Sequence, residues 1–221
     1  MINKDTILIS AFCALSQLVK ILPCKDVRVG KTSGQIIAQI GNVEIPRKEW
    51  DGLIPELVDL ALKCPPAQEA ALSTLGFLCD DLDSTYVSPE VTKQMLNAII
   101  KGYNNPSPAV VLVASIALEN ALTFIQRNFE HKPRPFCLDK IMTTLLRQGC
   151  QSSVEKIRLQ NLQTLAGAVK LYYHRMHLYF DAAKSVTFGA IKQFQKSPDV
   201  SVVSLLLIIP KDLFFLWITF F

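Results

Sequence analysis

An all-α chain of stacked helical hairpins is the fold class this sequence predicts, on three observations. Apolar residues recur at i, i+3, i+4 and i+7 from about Arg28 to Ser204, and strand-type alternation is absent. The helical pattern repeats at a nearly constant interval. Prolines and short polar clusters fall at the joins. Composition agrees: of 221 residues half are apolar and 19% are charged, with a mean hydropathy of +0.27. A disordered chain is poor in apolar residues and carries more net charge than this. With 9 glycines and 12 prolines, collagen-like and low-complexity classes are excluded.

The interval identifies the architecture. Leu75, Leu118 and Leu162 occupy equivalent places in one series of helices and lie 43 and 44 positions apart. A second series runs through Leu57, Leu96, Met142 and Phe188, at spacings of 39, 46 and 46. Two helices per period of about 40–47 residues is the signature of a HEAT/armadillo-type α-α superhelix, a solenoid. Here it amounts to about three and a half helical pairs in a right-handed stack. No single hairpin can bury both its apolar faces, so neighbours share one continuous core.

The elements follow in order. Residues 1–27 form an unassigned N-terminal helix, or a segment foreign to the repeats, ending near Pro23; Asp5 and the lack of a small-residue cleavage site argue against a signal peptide. The solenoid spans residues 28–204. Its inner helices are expected at 28–41, 66–83, 107–129 and 152–174. Its outer helices are expected at 48–63, 88–103, 133–148 and 177–196. Pro46, Pro65-Pro66, the run Asn104 to Pro108, Pro133 to Pro135 and Pro198 mark the joins, because proline lacks an amide donor and suits only a helix's first turn. Ser88-Pro89-Glu90 reads as a helix start with a serine cap. Residues 205–221 are an apolar tail that does not continue the pattern. Pro210, Lys211 and Asp212 break it into pieces too short to span a bilayer, so no membrane span is expected. Both ends should pack poorly or uncertainly; a membrane-anchored protein is the third reading.

Few residues carry chemistry. The net charge is +4 without a basic run, which argues against nucleic acid. Six cysteines without a CxxC read as reduced thiols and core residues, not as a disulfide or zinc framework. Gly30-Lys31-Thr32 lacks the upstream glycine of a phosphate loop and reads as a helix start. His174 and His177 have no carboxylate or thiolate at ligand spacing, so no metal and no cofactor is expected. Asp80, Asp81 and Asp83 read as a solvated turn. Nothing here supports an enzyme.

Six stretches carry a resemblance. Gln35 to Pro46 followed by Trp50 to Leu57 resembles the N-terminal part of the importin-β (karyopherin-β) family, in its Glu44-Ile-Pro46 and Trp50 segment above all. So do Thr74-Leu-Gly-Phe-Leu-Cys79, Asn97 to Gly102, Leu159 to Leu162 and Lys170 to Tyr173, in the same order. The resemblance covers residues 28 to 204 and suggests a truncated or divergent member. It implies a nuclear transport receptor in the cytoplasm, the nucleus and the nuclear envelope or pore. Its partners would be Phe-Gly nucleoporins and, through a partial site, the GTPase Ran. The importin-α adaptor or cargo would follow only where later repeats are present. The resemblance places a Phe-Gly pocket at Leu96, Asn97, Ile100, Phe136 and Cys137, and a possible second pocket at Tyr179 and Phe188. The alternative is a generic HEAT-repeat scaffold with no transport role, for which Leu96 and Ile100 are ordinary core.

Overall fold

A computed structural model describes residues 17–129 and 136–196 of the chain. Every regular element among the described residues is helical. The chain divides into two compact units, one up to Asn128 and one from Phe129 onward.

The first unit opens with a short helical turn and then α1 (Val27–Glu44), α2 (Leu53–Lys63), α3 (Gln68–Asp81), α4 (Pro89–Gly102) and α5 (Pro108–Phe129). Each start has a local cause. The Asp26 carboxylate accepts a hydrogen bond from the Arg28 amide at 2.9 Å and caps α1. Ser88 Oγ accepts from the Val91 amide at 3.3 Å, with Pro89 in the first turn and Glu90 behind it, as the sequence predicts for α4. The helix expected from residue 48 starts instead at Leu53. Lys48 takes a left-handed conformation, φ 61°, which ends helical propagation after Glu44 and turns the chain. The helix expected from 66 begins as a 3-10 turn, Pro65–Ala67, because two prolines remove the first amide donors.

Helices α1, α3 and α5 form one row and α2 and α4 another. Helix α1 packs on α3, α2 on α3 and α4, and α3 on α4. Leu53 and Leu57 of α2, Leu72, Leu75 and Leu78 of α3, Met95 and Ile99 of α4, and Leu118 and Leu122 of α5 fill the core at 0–2% exposure. Burying each such side chain contributes roughly 1.5–3 kcal/mol. The α3–α5 contact is close: a Cβ on Gly76 would lie 3.0 Å from both Cα and Cβ of Ala117. Asn120 Nδ2 donates to the Gly76 carbonyl at 3.2 Å beside it. In α5, Pro108–Gln126 is long and apolar enough to cross a membrane, yet just over half of it is buried within the fold. Val19 and Leu22, in the segment expected to pack poorly, are 1% and 0% exposed. That expectation fails there; residues 1–16 and 205–221 lie outside the described residues.

The second unit contains α6 (Phe136–Thr144), a π-turn (Leu145–Gly149), α7 (Glu155–Leu171), a 3-10 stretch (Tyr173–Leu178) and α8 (Phe180–Lys196). The sequence suggests one helix over 133–148; instead the last turn widens, with the Cys150 amide donating to the Leu145 carbonyl at 2.8 Å. The widened turn packs on α6, α7 and α8. Gly149 is the reason for the close approach to α7: a Cβ there would run into the side chain of Asn161. Asn161 is fully buried and donates to the Ile157 carbonyl at 2.7 Å.

Replacing Gly76 with Leu should therefore lower unfolding free energy by about 1–3 kcal/mol, the usual cost of overpacking. Urea titration followed by far-UV circular dichroism reads it. An unchanged midpoint would show that α3 and α5 are not held at glycine distance.

Candidate partner-binding site

Helix α4 carries three of the sequence-derived site residues. Its core face is Thr92, Met95, Leu96, Ala98, Ile99 and Gly102, packed toward α2 and α3. Leu96 belongs to that face at 2% exposure. Asn97 and Ile100 are half-buried and stand at its edge, and Lys93, Gln94 and Lys101 are exposed. On this helix only Asn97 and Ile100 of the three offer side-chain surface, so the scaffold reading of Leu96 as core matches its burial. Phe136 and Cys137 form the first turn of α6, in the second unit. Their side chains lie outside the described ones.

Tyr179 and Phe188 are both half-buried in the second unit, Tyr179 directly before α8 and Phe188 within it. The Tyr179 hydroxyl donates to the Asp139 carboxylate of α6. This tie was not legible in the sequence, because the two residues are forty positions apart and α6 shows no acidic pattern. It orients the ring while leaving part of it accessible.

A groove of about 520 Å³ opens between the C-terminal end of α3 and the middle of α5, lined by Asp80, Asp81, Asp83, Glu119, Asn120 and Thr123, with Phe124 and Cys79 beside them. The three aspartates are exposed, as the solvated-turn reading expects. Glu119 joins them from α5, which the sequence concealed. Asp81 accepts hydrogen bonds from Gln39 at 3.1 Å and Asn42 at 3.3 Å on α1, and Asp83 caps the turn by accepting from the Thr85 amide at 2.9 Å. At least two of the carboxylates thus hold structure.

Burial pushes the Cys79 thiol up to about 12, with the Asp80 carboxylate adding to the shift. Burial does the same to Cys150, also to about 12. Both are neutral thiols near neutral pH and poor nucleophiles. His177 is exposed. Among the described residues no cluster of His, Cys, Asp and Glu could hold a metal ion.

Cys24, which is exposed, should be alkylated rapidly at about pH 8, while Cys79 and Cys150 react only after unfolding. Raising the pH to about 9.5 should still leave the buried pair protonated and unlabelled. Peptide mapping after timed alkylation reads each site. Native-state labelling of Cys79 would show that α3 and α5 do not seal it.

Comparison with known proteins bears on the whole chain. No family model matches it. Importin subunit beta-1 of Arabidopsis thaliana is 29% identical over 181 residues, 79% of this chain and 20% of that protein. Importin subunit beta-1 of Saccharomyces cerevisiae is 27% identical over 197 residues, 87% of this chain and 22% of that protein. A crystal structure of importin-β superposes with a TM-score of 0.79 at 24% identity, over 94% of this chain and 23% of the other. Yeast importin-β (Kap95p) gives a TM-score of 0.74 at 25% identity, over 88% of this chain and 22% of the other. Kap95 in its complex with Nup1 gives 0.73 at 25% identity, with the same coverage. The helical-repeat fold is therefore that of the importin-β solenoid. In sequence and in fold, this chain is related to the importin-β family, and it spans about a fifth of the length of the importins it matches.

Proposed function

We propose that the chain works in nuclear transport as a partner-binding segment of importin-β type, without catalysis. The observation that carries this reading is the shared sequence and fold over most of the chain. The similarity to Kap95 in its complex with Nup1 supports a nucleoporin as partner. The cytoplasm, the nucleus and the pore are the places such a segment would act.

The finer reading concerns how a nucleoporin binds. A phenylalanine ring of a Phe-Gly repeat lies against Ile100 and Asn97 of α4, with Leu96 as the floor beneath them. A second ring uses Tyr179 and Phe188. Burying one ring contributes roughly 1.5–3 kcal/mol, and ordering the flexible peptide offsets much of it. Single contacts are weak, and several repeats on one nucleoporin supply useful affinity. Ran is a further partner through a partial surface, and the importin-α adaptor enters only with repeats beyond this chain. The competing reading, a helical scaffold without transport role, is favoured by the burial of Leu96 alone.

Two substitutions separate the readings. Ile100→Asp should keep helicity and weaken binding of a Phe-Gly repeat peptide at least about tenfold, because the charge is desolvated by the ring. Leu96→Asp should instead cost at least about 2 kcal/mol of stability, since its carboxylate enters the core. Fluorescence anisotropy with a labelled repeat peptide and thermal melts measure both. A chain that folds normally and ignores the peptide is a scaffold.

A further inference from the structure

A cavity of about 240 Å³ lies at the N-terminal end of α3, where the α2–α3 and α4–α5 turns come together. It is smaller than the roughly 300–1,000 Å³ of a site for a drug-sized ligand, so it suits a small group. Its floor is apolar and firmly built. Leu72 and Val110 are 1% and 7% exposed, with half-buried Leu62 beside them. Gly102 lets the last turn of α4 close down there. A Cβ on it would stand 2.7 Å from Ala114 of α5 and 3.0 Å from the side chain of Leu72. Of the residues that line the cavity none is acidic, and Lys101 alone is charged.

Two amide side chains in the wall are oriented by the backbone. The Ser107 amide can only donate, and it donates to Asn105 Oδ1 at 2.9 Å. Asn105 therefore turns its nitrogen toward Gln68, and Nδ2 donates to Gln68 Oε1 at 2.7 Å. That bond fixes Gln68 in turn: its oxygen is occupied, and its Nε2 keeps its protons for donation. The end of α4 adds no open acceptors of its own. The carbonyls of Ile100, Lys101 and Gly102 already accept from the amides of Tyr103, Asn104 and Asn105. What the wall offers is an ammonium and an amide donor above an aliphatic floor.

We infer that this cavity is a binding site for a small aliphatic carboxylate. Lys101 is exposed and forms no ion pair among the described residues. With no acid in the wall it balances one negative charge. A phosphate monoester, at about −1.5 to −2, would be left under-compensated. One carboxylate oxygen accepts from Lys101 and the other from Gln68 Nε2. Leu62, Leu72 and Val110 receive the aliphatic body. A free short-chain acid and the C-terminal residue of a peptide carry this same chemistry. The inference stands apart from the transport reading, because Asn97 and Ile100 do not line the cavity.

The probe is isovalerate, titrated at constant ionic strength into the intact, ¹⁵N-labelled chain. The side-chain amide resonances of Gln68 and Asn105 report binding. A saturable shift is expected. Lys101→Met should weaken it at least about fivefold while far-UV circular dichroism stays unchanged, since the charged donor is the stronger of the two. Isovaleramide, of the same shape without the charge, should also bind at least about fivefold more weakly. An acetylated tripeptide ending in valine with a free carboxylate separates the sources. Tighter binding than isovalerate assigns the site to a peptide end, and weaker binding assigns it to a free acid. Three results would overturn the proposal. One is no saturable shift at either amide. Another is equal binding of isovaleramide, the behaviour of an apolar gap. The third is unchanged affinity in Lys101→Met.

Discussion

The close contact of α1, α3 and α5 at small residues is the constraint on which the first unit depends. Gly34 leaves room for Thr74, and Gly76 leaves room for Ala117. At these points backbones meet with almost nothing between them, so neighbouring large side chains can interlock at the density of an ordinary protein interior. Thr74 pays no penalty for its burial, because its hydroxyl donates to the Ala70 carbonyl at 2.8 Å within its own helix. The leucines of α3 then meet side chains from both rows. Helix α3 owes its place to this arrangement more than to amphipathicity, since most of its circumference is covered.

Much of this was legible in the sequence. The spacing of Leu75, Leu118 and Leu162 located α3, α5 and α7, and the prolines located the joins. Boundaries failed where chemistry outside the apolar pattern decides. Lys48 adopts a conformation that no periodicity announces. The π-turn at Leu145–Gly149 depends on an apposed asparagine that is remote in the chain. The apolar segment before α1 showed helical periodicity, but its burial at Val19 and Leu22 depends on neighbours that the local sequence does not name.

The candidate site was less legible than the fold. A stripe at i, i+4 on α4 identifies a face without saying how deep it lies. The structure separates Leu96 in the core from Ile100 at the rim. The aspartates at the end of α3 were read correctly as exposed, yet their joint groove with Glu119 required knowing that α5 runs alongside. Polar contacts between helices, such as Gln39 and Asn42 to Asp81 or Tyr179 to Asp139, leave no periodic trace at all.

Asn161 has a consequence for how α7 finds its place. A buried amide is a poor source of stability, since it exchanges water for protein partners at little net gain. It is a strict judge of alignment, however. Opposite Gly149 there is space for it, and its amide donates to Ile157. Sliding α7 by one turn along the widened end of α6 would set that amide against a side chain and strand it without room. Leucine-rich helices with similar stripes can otherwise pair in several offsets of nearly equal energy. One amide facing one missing side chain makes the wrong offsets expensive, and so gives the second unit a single alignment to fold into.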